Sequence, residues 1–387
     1  MTVTLKDLVV RAEAMVSALK QRAAQAEANN RLPQETIDEF KEAGFFRVFV
    51  PKRYGGFELD YGPTQVELCN QIGRGCGSSA WVWSVVACHP WILGMMPQAT
   101  QDAVWSTGAD TLVTTAVSPS TGKIKRVEGG YLLDGRWQFS SGCDFAEWIL
   151  FSGPLEGEKG RAPWCLVNKK DFEIDHDSWH PMGLTGTGSK DVDVKNAFVP
   201  DEWASPMGAR PGAHLHESYI YRIPFVPFFF YNTSAPALGV ARGAVEEFVS
   251  QVNARPGRAT AGRQMRLAES SAEVDAALAL MRADMAEVVS TGRAEREMTP
   301  DQLARWERNL GYATKLCVQA VDRLLTVVGA HGIDANNPIH RAGRDIHAIS
   351  THACNWDARC IGLFTSMPWA PTTVSRRSTA CTQSFVA

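Results

Sequence analysis

Between residues 111 and 205 the chain drops the three-and-four apolar spacing of a helix and breaks into short alternating runs separated by turn residues. Helical spacing holds on both sides of that stretch. A β domain inserted between two helical blocks is expected. Residues 5 to about 108 follow a helical rhythm, with Pro33 placed for a first helical turn and 63–74 and 79–95 reading as two of the helices. In the β region, Glu128-Gly129-Gly130 marks a turn and Asp134-Gly135 a hairpin dipeptide, and AEWILFSG, APWCLV and DVDVKNAFVP continue the strands. After about 230 long helices return. There Leu303, Trp306, Leu310, Ala313, Cys317, Val321, Leu324 and Val328 form a stripe suited to packing on other helices rather than to holding a cofactor. The expected division is a helical domain over 1–110, a β domain over 111–215 and a helical bundle over 216–387.

Bulk properties narrow the function. With 387 residues, 45% hydrophobic, the chain can build two or three packed domains, and a net charge of -3 gives no electrostatic reason to bind nucleic acid or an anionic membrane. Nine cysteines without a C-x-x-C pair point to reduced thiols and a cytoplasmic setting. The N-terminal stretch has helical spacing rather than the apolar block of a signal peptide, and YIYRIPFVPFFFY (219–231) is too short and too interrupted by Arg222, Pro224 and Pro227 to cross a bilayer. His214-x-His216 and His176-x-x-x-His180 lack a persuasive third ligand, so no metal is expected. G-x-S-x-G is absent, which argues against a serine hydrolase, and so is a dinucleotide-binding fingerprint, so NAD(P)H is expected to be used by a partner. GRGCGSS (73–79) follows a helix rather than a strand, and reads as a helix–helix connection with Ser78 or Ser79 as N-cap.

GRWQFSSGCDFAEW (135–148) reads as a strand that ends on two hydroxyls. Strict alternation puts Trp137, Phe139 and Ser141 on one face and Arg136, Gln138 and Ser140 on the other, so Ser141 is expected on the apolar side. A hydroxyl there needs a partner, since leaving it unpaired costs roughly 1–3 kcal/mol.

Four segments, SSAWVWSVVACHP (78–90), GGYLLDGRWQFSSGCDFAEWILFSG (129–153), YRIPF (221–225) and RDIHAISTHACNWD (344–357), carry a resemblance over nearly the whole chain. In this order, with this domain texture, the chain resembles the oxygenase components of two-component flavin-dependent monooxygenases built on the acyl-CoA dehydrogenase fold. The resemblance implies a mainly α fold with an N-terminal helical domain, a central β-barrel-like domain and a C-terminal four-helix bundle. It also implies reduced FMN or FAD as cofactor, O₂ as co-substrate and a C4a-hydroperoxyflavin that hydroxylates a phenol- or indole-like aromatic. A separate NAD(P)H-flavin reductase, and a cytoplasmic homotetramer or dimer, complete the implied picture. Alternatives on the same fold are N- or S-oxygenation and acyl-CoA dehydrogenation, though the Tyr-Glu-Gly stretch associated with the latter is missing here. A non-catalytic scaffold is the alternative from another class.

Residue by residue, the resemblance implies that Ser141 meets flavin N5 while Ser140 and Phe139 line the ring, with Trp81, Arg222 and Phe225 also beside the flavin. His89 would meet the substrate hydroxyl, as an imidazole titrating near pH 6.5. His352 would face the activated oxygen, His347 would be structural, and Arg263, clustered with Arg258 and Arg266, would reach the cofactor's diphosphate. The chain departs from the pattern at Ala116, where phenol hydroxylases often carry serine; Thr115 and Ser118 stand beside it, and the substrate's polar handle stays open.

Overall fold

The computed structural model describes residues 3–158, 162–254, 257, 259–329 and 334–352. Five helices come first: α1 (Leu5–Ala28), α2 (Gln34–Glu42), α3 (Tyr61–Gly75), α4 (Gly77–Met95) and α5 (Gln98–Trp105). Nine strands follow: β1 (Val113–Ala116), β2 (Ser118–Pro119), β3 (Lys123–Val127), β4 (Gly130–Ser140), β5 (Trp148–Phe151), β6 (Trp164–Asn168), β7 (Phe172–Asp175), β8 (Lys190–Pro200) and β9 (Ala204–Ser205). The chain then returns to helix with the short α6 (Phe225–Phe228) and the long α7 (Tyr231–Asn253), α8 (Ala261–Arg293), α9 (Pro300–Leu325) and α10 (Pro338–Ser350). Among the described residues no helix is long and apolar enough to cross a membrane.

The two helical blocks, far apart in sequence, share one hydrophobic core, which Val113, Trp148, Leu150, Trp164 and Leu166 of β1, β5 and β6 join from one side, while the strands enclose a second core between them. α4 is the axis of the first. Its sequence is apolar all round, and every one of its side chains is buried, as such a pattern requires. Burying a large apolar side chain contributes roughly 1.5–3 kcal/mol, so the fully covered Trp83 and Trp91 make α4 a rigid platform.

The GRGCGSS segment joins α3 to α4 as expected, but its cap differs. Cys76 is the N-cap and its Sγ accepts the Ser79 N–H; Ser78 and Ser79 lie inside the first turn of α4. Gly73 serves a close helix crossing: a Cβ there would come within 2.8 Å of the Gly239 Cα, where α3 meets α7.

The strands form two sheets, ordered β1-β5-β6-β9 and β2-β4-β8-β7, with β3 paired to β4. The β3–β4 hairpin turns at Glu128-Gly129, opposite Val127 and Gly130. Asp134-Gly135 is not a hairpin turn. It lies within β4, where the register against β8 shifts between Leu133 and Gly135, and a Cβ on Gly135 would stand 2.6 Å from the Thr121 carbonyl oxygen.

A second irregularity in β4 builds the site. Gln138 and Phe139 together oppose the single Asp191 of β8, a bulge that puts Phe139 in the left-handed region at φ 66°. The expected alternation ends there. Trp137 and Ser140, not Trp137 and Ser141, share the buried side, and Phe139 is 58% exposed. The bulge adds one residue to the count, which moves every later side chain to the opposite face.

Candidate functional site

Just after the bulge, β4 meets α4. Gly142, at φ 73°, lies so close to α4 that a Cβ would be 3.1 Å from Val86 and 3.2 Å from Val82. That approach brings Ser141 to Trp81, whose indole N–H donates to the Ser141 Oγ at 3.0 Å. Thr114 of β1 donates to the Ser141 carbonyl at 2.7 Å, and the Ser141 and Ser189 hydroxyls are 2.7 Å apart. The turn after Ser141 is pinned by a buried ion pair in which the Lys190 Nζ donates to both Asp144 carboxylate oxygens, at 2.6 and 2.8 Å. Ser140 is fully buried and its Oγ has no hydrogen-bond partner among the described residues.

His89 joins through β1. Its Nδ1 is 2.7 Å from the Val113 carbonyl oxygen, one residue before the Thr114 that holds Ser141. A carbonyl can only accept, so Nδ1 carries the proton and the Nε2 of the neutral ring is an acceptor. Burial lowers the His89 pKa to about 4, against the partial support of that hydrogen bond. The sequence-based expectation of titration near 6.5 is therefore corrected: in the fold the imidazole is neutral at physiological pH. His89 lies eight residues after Trp81, about 12 Å along α4.

His352, two residues past the end of α10, sets its ring against Trp81 with centroids 5.4 Å apart and planes at 72°. Trp81 is thus the hub that touches both Ser141 and His352. His347 is 2.8 Å, through Nε2, from Asp322 of α9.

Other expected residues are not brought to this group. Arg222 donates to the His216 and Glu217 carbonyl oxygens at 3.2 and 3.0 Å and pairs with Glu295, commitments that hold its guanidinium on the surface. Phe225 stacks on Trp91, centroids 5.8 Å apart, and on Phe229. Trp91 is two residues from His89 and so projects to the other side of α4. Arg263 donates through Nε to the Val327 carbonyl at 3.0 Å and lines a cavity of about 340 Å³ at the end of the bundle, together with Phe248, Asp334 and Asn337. Arg266 pairs with Glu269, and Arg258 lies outside the described residues. Among the described residues no cluster of side chains suits a metal ion: His216 is 3.0 Å from Gln101, and His176 is 3.3 Å from Asp144.

Ser189, Thr187 and Thr114 escaped sequence reasoning. Thr187-Gly188-Ser189 looks like a turn before a strand, and nothing local marks it as the wall facing Ser141, 48 residues earlier.

The cluster fits a reduced flavin. Such a ring offers N–H donors along one edge and an apolar face. Here Ser141 offers an accepting hydroxyl beside Trp81, and Phe139 exposes an aromatic ring on a strained backbone, a conformation that costs about 1 kcal/mol or more and gathers at functional sites.

The comparisons agree with that chemistry. The family models for the acyl-CoA dehydrogenase N-terminal and C-terminal domains match residues 8–104 and 231–356. The chain is 31% identical to the flavin-dependent monooxygenase, oxygenase subunit HsaA, of Rhodococcus jostii (strain RHA1), over 89% of this chain and 94% of that one. It is 30% identical to the FADH(2)-dependent resorcinol hydroxylase, oxygenase component, of Rhizobium sp. (strain MTP-10005), over 91% of each chain. The crystal structure of 3-HSA hydroxylase from Rhodococcus sp. RHA1 superposes with a TM-score of 0.88 at 29% identity, covering 93% of this chain and 96% of that one.

Proposed function

The chain belongs to the oxygenase components of flavin-dependent monooxygenases built on the acyl-CoA dehydrogenase fold, and we propose that it hydroxylates a phenol- or indole-like aromatic whose O–H or N–H is held by His89. Reduced flavin, when bound, supplies the reaction of O₂ and the delivery of one oxygen atom to substrate. Ser141, Trp81, Phe139 and His352 would hold its ring and Arg263 would serve the distal part of a larger flavin, while the Ser140 hydroxyl, turned to the buried side with Trp137, would face away from it. A separate NAD(P)H-flavin reductase would supply the reduced form, consistent with the component naming of the relatives. The implied homotetramer is checked by light scattering.

What the chain's own groups do follows from their protonation and burial. Ser141 accepts a hydrogen bond from a ring N–H and so keeps that proton in place. The nearly buried Trp81 and the covered wall of Val82 and Val86 exclude water, which would otherwise compete for the proton and release the oxygen as H₂O₂. His89 is a neutral acceptor. Drawing the proton of a phenol or indole towards Nε2 raises electron density on the aromatic carbons, where oxygen is to be added.

One observation carries the substrate class: the Val113 carbonyl fixes His89 as the Nδ1–H tautomer, so the site presents an acceptor that calls for a donor on the substrate. The test is a screen of phenols against their matched methyl ethers with reduced flavin from a generic reductase, scoring oxygenated product by mass and H₂O₂ by peroxidase assay. Phenols are expected to be hydroxylated while the ethers yield mainly H₂O₂. Equal hydroxylation of both would overturn the reading.

A further inference from the structure

The hydroxyls behind Ser141 form a line whose polarity is determined at its far end. Thr187 Oγ1 lies 2.7 Å from the Leu184 carbonyl oxygen, which can only accept, so the Thr187 proton points there. Ser189 Oγ is 2.7 Å from Thr187 Oγ1, whose proton is spent, so Ser189 donates to Thr187. Ser141 Oγ is 2.7 Å from Ser189 Oγ, whose proton is spent in turn, so Ser141 donates to Ser189. At the near end Trp81 donates to Ser141 and can do nothing else, since an indole N–H is a donor only.

The far end is anchored. Leu184, at φ 55°, donates its own N–H to the buried Asp345 carboxylate of α10 at 2.7 Å, which fixes the carbonyl that terminates the line. Ser189 and Thr187 are both buried, so water does not offer the chain an alternative partner. Ser141 itself stays partly exposed on the side where the ring is proposed to lie. A hydroxyl has one proton and two lone pairs; Ser141 has given its proton to Ser189 and one lone pair to Trp81, and one lone pair remains.

We propose that the Ser189–Thr187–Leu184 relay makes Ser141 an obligate acceptor, so that the site selects a flavin whose N5 bears a proton and rejects the oxidised ring, whose N5 is itself an acceptor. Ser189 and Thr187 are positioning residues in this scheme. The relay gives the oxygenase a way to take up reduced flavin from a partner and to release the oxidised form after turnover. The inference rests on the proposed placement of Ser141 at N5.

Removing the Ser189 hydroxyl frees the Ser141 proton to turn towards an unprotonated N5. The test is anaerobic titration of the wild type, Ser189→Ala, Ser189→Thr and Ser141→Ala with oxidised and dithionite-reduced FMN and FAD, following binding by calorimetry. Wild type is expected to bind the reduced form more tightly. In Ser189→Ala the ratio of the two dissociation constants should narrow roughly three- to tenfold, the range for one neutral hydrogen bond, while Ser189→Thr keeps the wild-type ratio. Thr187→Val, which releases the Ser189 proton, should narrow the ratio in the same direction and provides a second variant should Ser189→Ala not fold. An unchanged ratio in Ser189→Ala and Thr187→Val with a narrowed one in Ser141→Ala would overturn the relay and leave Ser141 at N5. An unchanged ratio in all three would remove the N5 placement, and the relay with it.

Discussion

The Trp81 indole N–H donates to the Ser141 Oγ at 3.0 Å, and this bond ties the end of β4 to α4, two elements from different hydrophobic cores. Ser141→Ala leaves that N–H, nearly buried, without its acceptor. The variant should lose about 1–3 kcal/mol in chemical denaturation and release more H₂O₂ per reduced flavin consumed. Coupling equal to wild type would show that Ser141 does not hold the ring proton.

His89 divides into two functions that substitutions can separate. His89→Asn can keep a side-chain donor to the Val113 carbonyl but loses the Nε2 acceptor; His89→Ala loses both. Both should lower product yield at least tenfold, with O₂ consumption diverted to H₂O₂, and only the alanine variant should also lose about 1–3 kcal/mol of stability. Product yield unchanged in His89→Asn would remove His89 from substrate recognition.

The depressed His89 pKa makes stability depend on pH. The unfolded imidazole binds its proton below about 6.5 and the folded one only below about 4, so the contribution is present above 6.5 and is lost as pH falls through 4. The difference is worth on the order of 3 kcal/mol. The buried Asp345, pushed up to about 6 by burial, works the other way: its contribution is present below 3.8 and lost as pH rises through 6. Denaturation midpoints of wild type and His89→Asn, compared from pH 7 down to pH 4, isolate the histidine. The gap between the two curves should shift steadily in favour of the variant as the pH drops.

Phe139 holds a positive φ that glycine adopts freely. Phe139→Gly should therefore be neutral or stabilising by up to about 1 kcal/mol, and, on the proposed placement of the flavin against its exposed ring, flavin affinity should fall severalfold. Loss of stability with unchanged flavin affinity would make the ring a packing element.

Arg222 is expected to be dispensable for flavin. Its guanidinium is committed to two carbonyl oxygens and Glu295 at the surface, and exposed ion pairs contribute about 0–1 kcal/mol, so Arg222→Ala should keep the flavin dissociation constant within twofold. A tenfold weakening measured by calorimetry would return Arg222 to the site.

Much of this protein is written locally. Residues that repeat at three and four, or at two, must form helices and strands whose apolar sides are buried, and this alone marks the β insertion, the helices on either side of it and the all-round apolar α4. The family resemblance also singled out the segments around Ser141, His89 and His352. Side-chain direction was less accessible: alternation counts residues, and a bulge at Phe139, set by how β4 pairs with β8, adds one and exchanges the environments of Ser140 and Ser141. The tautomer of His89 depends on a carbonyl 24 residues away, its depressed pKa on burial in the folded core, and the hydroxyl line on a contact that spans 48 residues. Hydrogen bonds and desolvation act through space, so the roles of these groups were decided only once the two cores had packed against each other.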